Sequence, residues 1–165
     1  MKKLLFLSLA LLFTGSVAFA QAPASPKKTA EGDGVSVVYG APSKKGREIF
    51  GGLVPYGEVW RTGANNATEL TLSKDGKVGG VNVKAGTYTL FTIPQEDGNW
   101  TVILNPTLGQ WGAYGYAKIK DADLPHIPAK ASATNGTVEL FSIYFEGSDM
   151  VIAWDDTKVM VPIEM

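Results

Sequence analysis

The chain has 165 residues, with 15 Lys and Arg, 16 Asp and Glu, one His, no Cys and a formal net charge of −1. That balance, with no concentrated basic stretch, argues against nucleic acid as a partner. The lack of cysteine rules out disulfides, thiol catalysis and thiolate metal sites, so stability must come from the core.

Residues 1–20, MKKLLFLSLALLFTGSVAFA, read as a secretory signal peptide. Lys2 and Lys3 form the basic start, Leu4 to Phe13 an apolar run short for a bilayer, and Ala18-Phe19-Ala20 a small-residue cleavage site. Export to the periplasm or cell exterior is therefore expected. Cleavage near Ala20 would move the net charge from −1 to −3. No later polybasic or amphipathic stretch suggests membrane binding after cleavage. Residues 21–33, QAPASPKKTAEGD, lack large apolar side chains and read as a flexible linker. Residues 34–165 are left for one globular domain.

Within that domain the dominant pattern is period two, broken by turn residues at short intervals. Strands are predicted at 35–39, 69–73, 77–83, 86–93, 100–104, 137–145, 149–154 and 157–163. Turn chemistry separates them at Lys74-Asp75-Gly76, Glu96-Asp97-Gly98, Asn135-Gly136, Glu146-Gly147-Ser148 and Asp155-Asp156. The last two segments are predicted to form a terminal hairpin, with Pro162 placing the final strand at an edge. The expected fold is all-β: a single antiparallel sandwich of jelly-roll-like character. Two long irregular loops, 40–68 and 105–134, interrupt the pattern, and such loops often carry function.

The blocks VVYGAPSKKGREIFGGLVPYGEVWRTGANNATELTLS, GGVNVKAGTYTLFTIP, WTVILN and QWGAYGY cover nearly the whole domain. On these the chain resembles the exported bacterial family called domain of unknown function 2911. The resemblance implies a periplasmic or extracellular location and carries no assigned activity. Gly40-Ala41 departs from the Ser-Arg or Ser-Ser expected in many relatives, which would remove one polar contributor if that position binds a ligand.

Most catalytic constellations are missing. His126 lies between Pro125 and Pro128 with no second imidazole to join it, and reads as a surface or loop-packing residue. No G-x-S-x-G elbow, phosphate loop or dinucleotide fingerprint occurs. Asp121, Asp123, Asp149, Asp155 and Asp156 fit no calcium-loop spacing. No metal or cofactor is expected. Glu58 and Glu69 are the candidate acid and base of a carboxylate-dependent, glycosidase-like hydrolase, although nothing in their spacing selects that chemistry.

The sharpest signal is arginine. The chain has only Arg47 and Arg61, both within GREIFGGLVPYGEVWRTGANNAT, against thirteen lysines. Arginine offers a rigid planar fork that lysine cannot replace. Two readings fit. In one, Arg61 is half buried, paired with Glu58 or Glu69 and bonded to loop carbonyls, while Phe50, Leu53, Val54 and Trp60 pin the loop. In the other, Arg61, Asn65 and Asn66 line a pocket with Arg47, Tyr56 or Trp60. Trp111, Tyr114 and Tyr116 of QWGAYGY would then add an aromatic platform from the second loop. They could equally form an edge strand over the core. The functional expectation is an exported binding module for a small polar or glycan-like ligand. The hydrolase and a non-catalytic envelope structural or interaction protein are its alternatives.

Overall fold

The computed structural model describes residues 25–165; the predicted signal peptide lies outside them. The domain is all-β, with nine antiparallel strands in one hydrogen-bonded sheet of order β1-β2-β3-β6-β7-β8-β9-β4-β5. The strands are β1 Lys27–Gly32, β2 Val35–Gly40, β3 Thr68–Leu72, β4 Gly76–Val78, β5 Val81–Val83, β6 Gly86–Ile93, β7 Asn99–Asn105, β8 Ile127–Glu146 and β9 Asp149–Glu164. The topology is a meander from which the β4–β5 hairpin departs to pair with the far end of β9.

The sheet is open, and its longest strands are β8 and β9, whose ladder carries two register shifts. The start of β8 pairs with β7, at Trp100↔Ala129 and Val102↔Ile127. Its second half lies across the core from β1 and β2, where the Tyr39 hydroxyl donates to the Ile143 carbonyl at 3.2 Å. The nine strands form one open sheet, an arrangement compatible with the sandwich expected from the sequence.

Several predicted boundaries change, each for a local reason. Residues 27–32 are not linker but strand β1, paired with β2 from Lys27↔Gly40 to Gly32↔Val35. The turn is Asp33-Gly34, with Gly34 at φ 69°, a dipeptide suited to a two-residue hairpin. The 77–83 segment is a hairpin rather than one strand, because Gly79 and Gly80 take φ 53° and 81°. At the other end no terminal hairpin forms: residues 149–164 are the single strand β9. Asp155, at φ 55°, and Gly136, at φ 153°, lie at register shifts in the β8–β9 ladder rather than at turns. Nor is β9 an edge strand. It lies between β8 and β4, and the Pro162 carbonyl accepts from the Gly79 amide at 2.7 Å. The second irregular loop ends at His126, since 127–134 belongs to β8.

The main core is centred on aromatic side chains, two of them, Phe50 and Trp60, from the first loop. Trp60 stacks on Trp154 with centroids 6.0 Å apart and planes 14° from parallel. Phe141 meets Trp60 edge-on at 5.2 Å and Phe50 meets Trp100 at 5.0 Å. A second, smaller cluster of Ala67, Phe91 and Ile103 lies under Ala113, Tyr116 and Ile119 of the second loop. Leu90 joins the main cluster and Phe91 the smaller one, so β6 is covered on both faces.

Candidate binding site

The first loop runs from residue 41 to 67, and its segment Trp60–Thr68 is held by a dense set of bonds. Trp60 exchanges both backbone hydrogen bonds with Thr92 of β6, at 2.8 and 3.0 Å. Thr62 is fully buried at φ 54°, a conformation costly for a β-branched residue. Its hydroxyl meets that of Thr92 at 3.0 Å, and its carbonyl accepts from the Thr68 hydroxyl at 2.6 Å. The loop also crosses β2 closely, with the Ala64 amide on the Gly40 carbonyl at 3.2 Å. A Cβ at Gly40 would lie 2.1 Å from the Ala64 carbonyl oxygen. Any side chain at position 40 would therefore displace this loop.

Arg61 is therefore fixed on both sides along the backbone, yet its side chain makes no ion pair among the described residues and its Nε no hydrogen bond. Its Nε is the one buried side-chain nitrogen or oxygen among the described residues without a hydrogen-bond partner. No ion pair among those residues involves it. Neither Glu58 nor Glu69 pairs with it, contrary to the structural reading of the sequence. An enclosed, unpaired donor costs roughly 1–3 kcal/mol.

Two concavities meet at this side chain. One, about 280 Å³, is lined by Arg47, Arg61, Asn65, Gly63 and Trp154 among others, and by no acidic residue. The other, about 250 Å³, adds Glu58, Ala113 and Tyr114. Leu53, Val54, Trp60 and Arg61 belong to both. Arg47 is partly committed: its Nε donates to the Lys44 carbonyl at 2.9 Å and one terminal nitrogen to that of Ser43.

Residues 22–163 match the family described as Protein of unknown function (DUF2911). The chain belongs to this family. No curated protein and no solved structure matches it.

The DUF2911 domain brings together some of the residues singled out in the sequence and separates others. Arg47, Trp60, Arg61 and Asn65 share one concavity, with Trp60 as a floor anchored in the core. Tyr114 is 84% exposed and borders the neighbouring one. Asn66 and Glu69 line a third recess of about 200 Å³ with Lys27, where Glu69 accepts from the Gly109 amide at 3.2 Å. Glu58 and Glu69 thus open onto different recesses and form no facing pair. Tyr56 lies instead over Gly51. Its phenol is pushed up by partial burial, then by the charges of Glu96, Asp156 and Glu48.

The aromatic platform does not form. Gly112 takes φ 68°, which breaks the extended backbone needed for Trp111, Tyr114 and Tyr116 to share a side. Trp111 is 64% exposed, while Tyr116 packs on Phe91 at 5.2 Å. The Tyr116 hydroxyl donates to Asp123, whose carboxylate also accepts from Asn105 at 2.7 Å and contacts His126 at 3.3 Å. Burial, then the bond to Asp123, raises the Tyr116 pKa.

A larger concavity, about 620 Å³, lies at the β4–β5 edge, among Asp75, Lys77, Lys84 and Glu164. Its charges pair with one another, Lys84 with Asp75 at 2.7 Å and Lys77 with Glu164 at 3.1 Å. Size alone therefore does not select it. Sequence reasoning missed Pro42 and Ala64 as walls of the Arg61 recess, because only the close crossing of Gly40 brings them there.

Proposed function

We propose that this chain is an exported binding domain whose first loop holds a small polar ligand in the recess between Arg61, Arg47 and Asn65. One observation carries the reading: Arg61 has an enclosed Nε with no partner and no carboxylate from the described protein. A buried polar group left unpaired in an otherwise saturated loop calls for a missing partner, and the Arg61 side chain lines the adjoining recess. The hydrolase alternative loses support because Glu58 and Glu69 do not face each other.

The test is a thermal-shift screen of wild type and Arg61→Ala against sugars, nucleotides and organic acids. A ligand should raise the melting temperature of wild type alone, by about 2.7 kcal/mol of stabilisation at a hundredfold excess over Kd. A hit that stabilises Arg61→Ala equally would remove the site from the account. Exposed Trp111 and Tyr114 favour a second reading, a surface for a protein partner. That reading requires binding to survive Arg61→Ala and to fail in Trp111→Ala.

A further inference from the structure

We infer that the ligand bound at Arg61 is a carboxylate, its charged group taken between Arg61 and Arg47 and its body lying against Leu53 and Val54. This rests on the binding reading above and adds the chemical class. Both arginines of a chain that is otherwise lysine-based line the same recess, and no Asp or Glu lines it. In a protein of net charge −1, two cations at one small concavity favour an anion there, the nearest acid lining being Glu58 in the adjoining recess that Arg61 also borders.

The chain's own N-terminal extension offers no side chain to fill that role, because no Asp or Glu precedes Glu31 in the sequence. No carboxylate among the described residues pairs with Arg61, which leaves its charge available to an external anion. Planarity narrows the class to oxyanions. A guanidinium presents parallel N–H donors that match two oxygens of a carboxylate or a phosphate, whereas an ammonium acts as a point charge.

Phosphate is the less suited anion here. Phosphate sites commonly draw on helix N-termini or a phosphate-binding lysine. The described residues contain no α-helix, and no lysine lines this recess. The walls supplied by Leu53, Val54 and Trp154 instead suit an apolar or ring-shaped body. A volume of about 280 Å³ fits a molecule of small-metabolite size.

Calorimetric titration of the purified protein with matched probes tests the inference. The pairs are glucuronate with glucose, benzoate with benzyl alcohol, and succinate with butane-1,4-diol, with inorganic phosphate added alone. At least one carboxylate should bind at least tenfold more tightly than its neutral counterpart, and the preference should shrink as salt rises. Arg61→Lys should weaken that carboxylate at least tenfold although the charge is kept, and Arg47→Gln by a smaller factor. Unchanged denaturation midpoints in both variants exclude misfolding as the cause. A neutral probe that binds as well as its carboxylate partner, with both lost in Arg61→Lys, overturns the carboxylate assignment and leaves the binding site standing. Phosphate that binds more tightly than every carboxylate overturns it as well. Silence from every probe overturns both this inference and the binding reading.

Discussion

The two long loops of this domain handle their polar groups in opposite ways. Residues 106–126 cover the back of β6 and β7 and leave little unpaired: Asp123 takes donors from Asn105 and Tyr116, and Asn105 also reaches the Ile119 carbonyl at 2.8 Å. Residues 41–67 are anchored as firmly, through Trp60, Thr62 and the Gly40 crossing, yet the side chain in the middle of that anchorage has no partner. A loop that serves only as a cover satisfies its own buried groups. A loop that fixes a backbone around an unpaired guanidinium has the rigidity that the proposed binding role requires.

Substitutions can break or sharpen that contrast. The largest effect is expected at Trp60, whose loss would open the aromatic core where it stacks on Trp154. Trp60→Ala should cost about 3–5 kcal/mol in urea unfolding. A loss under 1 kcal/mol would mean the first loop is not anchored there. Gly40→Ala comes next. Its new Cβ would meet the Ala64 carbonyl at 2.1 Å, and the forced shift should cost about 3 kcal/mol. A neutral outcome would show that the crossing relaxes freely.

In the second loop Tyr116→Phe removes a donor from a carboxylate that is 7% exposed, with an expected cost of about 1–3 kcal/mol. The same phenol gives a pH signature. Its folded pKa is raised above the ordinary 10.0, so its contribution is fully present below pH 10.0 and is lost as pH rises through the folded value. Wild type should therefore lose stability in alkaline solution more steeply than Tyr116→Phe. Equal slopes would detach Tyr116 from the cover.

Much of the strand framework was legible because alternation and turn residues report local geometry. The 86–93 strand is found where the alternation of Tyr88 and Leu90 against Thr89 and Phe91 places it. The errors share a cause: positive φ serves turns and ladder irregularities alike. Asn135-Gly136 and Asp155-Asp156 have the composition of chain reversals, but β8 and β9 pair on both sides of them, and pairing is not a local property. β1 was hidden by its composition, since in KKTAEG only Ala30 reaches the core, although Asp33-Gly34 marked the turn. For the site, the rarity of arginine was legible and its pairing was not. Whether Glu58 or Glu69 would meet Arg61 depended on contacts between distant segments. The aromatic platform failed for a nearer reason, the turn at Gly112.

The most direct check on the central claim, that Arg61 has no structural task, is the unfolding free energy of Arg61→Met measured beside wild type in urea at neutral pH. Methionine keeps the apolar stem and removes the unpaired Nε. The expected difference lies within about 0.5 kcal/mol or is a small gain in stability. A loss of about 2 kcal/mol or more would show that the guanidinium holds the loop together, and would contradict the account.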